Sequence, residues 1–136
     1  VLTDEARMLT TPTYHVMEMY APHHDAVLLP VSVNSPKYTV EGASLPSLSV
    51  SASRDRSGAV HISLVNIDVH TPRAIEVDVR GARFTSVKGR ILTSAKIQDH
   101  NTFDDPEKVK PQEFKGAKVD GSRVRLEIPA GSVVVL

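Results

Sequence analysis

Gly58-Ala59-Val60-His61-Ile62-Ser63-Leu64-Val65-Asn66-Ile67-Asp68 is the stretch that decides the fold. Val60, Ile62 and Leu64 fall on one side of an extended chain, and His61 and Ser63 on the other. That period-two alternation is what a strand with one face in a core requires. Leu48, Val50 and Ala52 alternate in the same way just upstream. Arg54-Asp55-Arg56-Ser57-Gly58 joins the two runs, polar and with a glycine where a positive φ is often needed. Together they predict an antiparallel hairpin with a longer loop at the centre of the fold.

The runs on either side share that period. After a turn at His70-Thr71-Pro72-Arg73, Ile75, Val77 and Val79 alternate with Glu76, Asp78 and Arg80, and Phe84 to Thr93 reads as a further strand run. Asp99 to Pro111 is a polar connection too long for a simple hairpin turn. Val119-Asp120-Gly121-Ser122 turns into Val124, Leu126 and Ile128, and Pro129-Ala130-Gly131 leads to Ser132-Val133-Val134-Val135-Leu136. This last run is apolar on both faces, as an inner strand must be. Upstream, Val27 to Val33 is β-prone, with Pro30 placing it at an edge or a strand end. Asn34 to Pro46 is loop-like, with Tyr38 and Val40 as anchors for short strands. Many short strands between turns predict a mainly β chain, a jelly-roll-like β-sandwich.

The first residues differ. Thr11-Pro12 starts a helix, with Thr as N-cap and Pro at the first helical position, and Ala21-Pro22 ends it. At about nine residues such a helix is marginal alone in water. Tyr14, Val16, Met17, Met19 and Tyr20 point in most directions around its axis, and a helix apolar nearly all round wants neighbours on several sides. One small sandwich covers only one of them. Residues 1–25 are therefore expected to belong to a larger body, with residues 26–136 forming the sandwich. On that expectation the helix is mobile alone, or packs on another copy through Tyr14, Met17 and Tyr20. The opening Val1-Leu2-Thr3-Asp4, without initiator methionine or signal-peptide pattern, reads as a fragment or a processed chain.

Composition narrows the function classes. The chain has 136 residues, with Lys plus Arg and Asp plus Glu at 16 each, so the basic excess of a nucleic-acid binder is missing. No apolar run approaches the roughly 20 residues that span a bilayer. Without cysteine there are no disulfides and no Cys-based zinc sites, and the compartment stays open. Aromatic content is 4% with no Trp, which argues against a stacking platform for sugars or bases.

Two clusters invite a metal search: His23-His24-Asp25, and Asp99-His100-Asn101-Thr102-Phe103-Asp104-Asp105. Neither has the spacing of a known ligand motif. The alternative makes the first a polar helix exit, with His at the C-terminal dipole, and the second a loop held by Asx turns. Glycoside hydrolysis needs two carboxyl groups roughly 5 to 10 Å apart. Glu76 and Glu127 sit on the polar faces of strands, while Glu5, Glu18, Glu41, Glu107 and Glu113 fall in the stub, the helix or loops. No nucleophile elbow and no Gly-rich phosphate loop is present. No catalytic, metal-binding or cofactor-binding residue is assigned.

Beside this reading stands a family resemblance. Thr11-Pro12-Thr13-Tyr14-His15-Val16-Met17-Glu18-Met19-Tyr20, His23-His24-Asp25-Ala26 and Leu29-Pro30 resemble the segment closing the catalytic barrel of family 51 α-L-arabinofuranosidases. The likeness continues through Ser53-Arg54-Asp55, Ile62 to Asp68, Gly89 to Thr93, His100 to Pro106, Val109-Lys110-Pro111 and Pro129 to Leu136. It thus covers nearly the whole chain, and His-Asn-Thr-Phe-Asp with the prolines after it is its most specific part. The resemblance implies a (β/α)8 barrel followed by a C-terminal sandwich. Val1-Leu2-Thr3 would end the eighth barrel strand, and Pro12 to Tyr20 would be the eighth helix. The acid/base and nucleophile glutamates of that retaining family would lie upstream of Val1. Implied partners are the barrel itself, arabinan or arabinoxylan through the parent enzyme, and further copies in a homo-oligomer, with Asp99 to Pro111 reaching a neighbour or covering the sandwich edge. The rival function is a carbohydrate-binding module, for which Tyr38, Phe84, Phe103 and Phe114 are the aromatics at hand. A third possibility is a self-contained enzyme with a metal at the His/Asp clusters.

Overall fold

The computed structural model describes all residues from Val1 to Leu136. The central hairpin is present as β6 (Leu48–Arg54) and β7 (Val60–Asn66), with Ala52 opposite Ile62 and Val50 opposite Leu64. Its loop is organised by Asp55. One carboxylate oxygen accepts from the backbone N–H of Ser57 and Ala59 and from the Ser57 hydroxyl, and Gly58 takes a φ of 90°.

The other strands assemble around this pair. β3 (Val27–Leu29) pairs with β6 and forms one edge. On the other side β13 (Ser132–Val135) pairs with β7, then β9 (Arg90–Leu92) with β13, and β10 (Gln112–Glu113) closes the six-stranded antiparallel sheet. The apolar C-terminal run is thus an interior strand, as its two apolar faces predict. A three-stranded antiparallel sheet of β11 (Lys118–Asp120), β12 (Arg123–Ile128) and β8 (Arg73–Asp78) faces it. Gly121, at φ 62°, opens the two-residue β11–β12 turn in a backbone region costly for other residues. Between the sheets, Ala52, Ile62, Leu64, Ile91 and Val134 meet Val124, Leu126 and Ile128 in one core. The chain is mainly β, and the two sheets form its first two layers.

A third layer covers the outer face of the large sheet. Helix α1 (Pro12–Met19) begins at the expected cap, where the Thr11 hydroxyl accepts from the Tyr14 N–H at 3.2 Å, and a 3-10 turn (Ala21–His23) follows it. Met19 is buried against Leu92, Val109 and Val135, with Val16 and Tyr20 packed alongside. The helix therefore docks on the sandwich by one side, while Tyr14 and Met17 remain exposed. Tyr20, grouped with those two in the sequence reading, faces inward instead. The reason is helical geometry: Val16, Met19 and Tyr20 lie at i, i+3 and i+4 and share one stripe.

Two regions differ from the sequence reading, and in a third, Asn34–Pro46, the short strand anchored by Tyr38 and Val40 is present and gains a partner. Leu2–Asp4 (β1) and Arg7–Leu9 (β2) form a hairpin, and Asn34–Pro46 contains a second one, β4 (Lys37–Val40) with β5 (Ala43–Pro46). Both turns place a glutamate, Glu5 or Glu41, at positive φ. Asn or Asp followed by Gly is the usual signal there, and neither turn carries it. Conversely, Phe84–Gly89 is not a strand. Its backbone makes isolated bonds, Phe84 N–H to the Gly121 carbonyl and Phe114 N–H to the Gly89 carbonyl, and no ladder forms. Phe84 and Val87 are still half-buried, which is what made the segment look strand-like.

Candidate functional site

Buried polar side chains are where chemistry would be expected, and apart from Ser47, whose hydroxyl lies 3.5 Å from that of Ser35, they fall into three groups. The first is a corner after β7. Asn66 donates to the carbonyls of Thr71 and Pro129, and its own oxygen accepts from Asp68 N–H. Asp68 accepts from His70 and Thr71 N–H and from Arg73 at 2.6 Å. The backbone donors, with Arg73 beside them, hold the Asp68 carboxyl below its ordinary range. The Asn66 amide and the backbone donors to Asp68 all close loops of the chain, so the corner is structural.

The second group lies between the 3-10 turn and the central hairpin. His23 Nδ1 is 2.7 Å from Ser53 Oγ, and its Nε2 is 3.0 Å from Ser63 Oγ. Both serines point away from the core and yet are buried, because the turn sits on them. His61 lies 6.3 Å from His23 between ring centroids and binds Asp55 through Nε2 at 2.9 Å. His61 and Ser57 hold the Asp55 carboxyl far below its ordinary range. Serine, histidine and aspartate are therefore neighbours, but they are wired differently from a nucleophilic triad. There, one histidine bonds the nucleophile on one nitrogen and the orienting carboxylate on the other. Here both nitrogens of His23 are taken by buried hydroxyls, and the carboxylate serves a different histidine.

The third group is the Asp99–Pro111 loop. Asn101 donates to the Thr10 and Val109 carbonyls, both at 2.9 Å, and accepts from Val109 N–H at 2.7 Å. Asp99 accepts from Ser94 at 2.5 Å and pairs with Lys108 at 2.9 Å, which lowers its carboxyl to about 2. Arg7 stacks over Phe103, 4.8 Å from the ring centre. The loop is fastened to its own chain by Asx-type bonds. Its residues do not join His23, His24 and Asp25 in any group of three or more side chains fit to hold a metal.

The glutamates are dispersed. Glu18 bonds Arg90, Glu76 bonds Arg125 and Glu107 bonds Lys110, each at 2.7 Å. These cations lower all three carboxyls. A general acid in glycoside hydrolysis needs the opposite shift. An open cavity of about 620 Å³ lies beside α1, walled by Val60, Ile62, Phe84, Val87, Val124 and Leu136. Its only acidic side chain is Glu18, already engaged by Arg90. Tyr38, Phe84, Phe103 and Phe114 are each half-buried, and no two of them stack into a flat platform.

Fold and site together define a layered β-sandwich domain whose polar clusters bind its own loops. Residues 1–132 match the family model described as the α-L-arabinofuranosidase C-terminal domain, and the chain belongs to that family. It is 36% identical over 137 aligned positions to the intracellular exo-α-L-arabinofuranosidase of Bacteroides ovatus, covering 100% of this chain and 27% of that protein. Among solved structures, the GH51 arabinofuranosidase of Xanthomonas axonopodis pv. citri superposes with a TM-score of 0.95 at 38% identity, over 98% of this chain and 27% of that one. The α-L-arabinofuranosidase of Thermotoga maritima shares the fold, with a TM-score of 0.81 at 19% identity over 98% of this chain and 30% of that one. The chain thus spans about a quarter of the length of these relatives.

Proposed function

We propose that this chain serves as the non-catalytic C-terminal part of an α-L-arabinofuranosidase, supporting a catalytic (β/α)8 barrel. Residues 1–25 are the barrel's last strand and helix, and residues 26–136 are the accessory sandwich. The whole enzyme would release terminal α-L-arabinofuranosyl groups from arabinan or arabinoxylan, with both working glutamates outside these 136 residues. One observation carries this reading. Of the twelve large apolar side chains left exposed, nine (Val1, Leu2, Met8, Tyr14, Met17, Val27, Leu28, Val31 and Val33) fall within the first 33 residues. Concentrated apolar exposure marks a surface meant to be covered. Assembly into a homo-oligomer belongs to the same proposal, with the exposed stretch Asp104–Lys108 available to a neighbour.

The test is to assay this chain, its intact mass confirmed, on an aryl α-L-arabinofuranoside and to titrate it with arabinan. No turnover and no binding are expected. Turnover with contaminating longer enzyme excluded would place a carboxylate pair within the chain. Binding of arabinan would identify a carbohydrate-binding module instead.

A further inference from the structure

We propose that His23 is a proton-sensitive clasp: its neutral ring bridges the Ser53 and Ser63 hydroxyls and fastens the turn after α1 to the large sheet, and protonation releases it.

The geometry sets the condition. A neutral imidazole has one N–H donor and one acceptor nitrogen, so one serine hydroxyl accepts from the ring while the other donates to it. Ser53 and Ser63 are both buried, and neither hydroxyl has another hydrogen-bond partner in the protein. A proton added to the ring turns its acceptor nitrogen into a donor. The serine that had donated must then rotate, and its hydrogen is left without an acceptor in a buried place.

The surroundings act in the same direction. His61 faces His23 from β7, itself bonded to Asp55; His24 follows it on the turn; Tyr20 packs its ring 5.5 Å away; and Ser53 bonds it from β6. No carboxylate bonds the His23 ring: both of its nitrogens face serine hydroxyls, and Asp55 is held by His61 and Ser57. Burial first, then His61 and His24, lower the His23 pKa from its ordinary 6.5. A lowered histidine pKa means that the opened state takes up protons more readily than the closed one. The clasp is fully effective above about pH 6.5, and its contribution is lost as pH falls through that value toward the lowered one.

The clasp holds a segment with little else to keep it down. Helix α1 has eight residues and buries one side chain fully, Met19. Its remaining polar tie to the sheet is the exposed Glu18–Arg90 pair.

Amide exchange on the whole chain tests this, with each rate corrected for its intrinsic pH dependence. Between pH 7.5 and 5, protection of the Val16 to His24 amides should fall by about twofold or more relative to Leu64 and Val134. An unchanged ratio overturns the proposal. His23→Gln keeps one donor and one acceptor without titrating and should abolish the response, whereas His61→Gln should retain it. A response lost only in His61→Gln would assign the effect to the Asp55 pair and refute the clasp. Nitrogen-detected titration of the unmodified protein is independent of how either variant folds. A His23 ring that titrates at or above 6.5 would also refute it.

Discussion

Asn101 uses both ends of its amide at once, donating twice and accepting once, and so ties the polar loop to the end of β2 and to Val109. Val109 in turn packs on Met19 and Leu92. One side chain therefore links the loop, the N-terminal segment and the large sheet. Asn101→Ala would leave two carbonyls and one N–H without partners in a buried place, and should lower stability by about 3 kcal/mol. Urea unfolding checks this, and a cost within error of zero would mean the loop repairs its bonds. The residue pattern His-Asn-Thr-Phe-Asp marked this loop as special, but which of its side chains was structural could not be read from sequence. Asn101 is buried only because Thr10, 91 positions away, supplies an acceptor.

At the level of elements, strand period identified the hairpin, the inner C-terminal strand and the β11–β12 turn, because alternation of side chains is local to a strand. It missed β1–β2 and, although Tyr38 and Val40 anchored β4, the β5 partner, because their exposed turns carry glutamate at positive φ where Asn or Gly is the usual signal. It also misread Phe84–Gly89, where no neighbouring strand offers a ladder. The helix was legible from its cap, and its short length made its dependence on packing predictable. Two substitutions separate the layers. Leu64→Ala, in the core between the sheets, should cost about 3 kcal/mol and shift the whole unfolding transition. Met19→Ala should instead lower amide protection in α1 and leave β6 and β7 protected. A common loss across both regions in Met19→Ala would show that the third layer unfolds with the sandwich.

The whole molecule has two unlike sides. The outer face of the small sheet is a lattice of charges, with Glu76 between Arg123 and Arg125 and Ser122 bonded to Asp78. Such exposed pairs add little stability but keep a face in water. The other side carries Met17, 67% exposed, and Leu28, 74% exposed. If that side is built to be covered, the isolated chain should self-associate through it. Met17→Lys combined with Leu28→Lys should reduce association in sedimentation velocity while changing stability by no more than about 0.5 kcal/mol per site. Equal association in both proteins would locate the sticky surface elsewhere.

The sequence by itself determined the mainly β class, the central hairpin, the capped helix, and through its motifs the family, because strand period, capping chemistry and local motifs are properties of neighbouring residues. Only the tertiary structure decided where the polar residues went. His23 meets Ser53 and Ser63 across 30 and 40 positions of chain. Asp55 is spent on His61 and Asn101 on Thr10. Whether a histidine near a serine or an aspartate is a catalyst or a fastening depends on which nitrogen faces which oxygen. That is settled by the packing of three layers, and no local pattern encodes it.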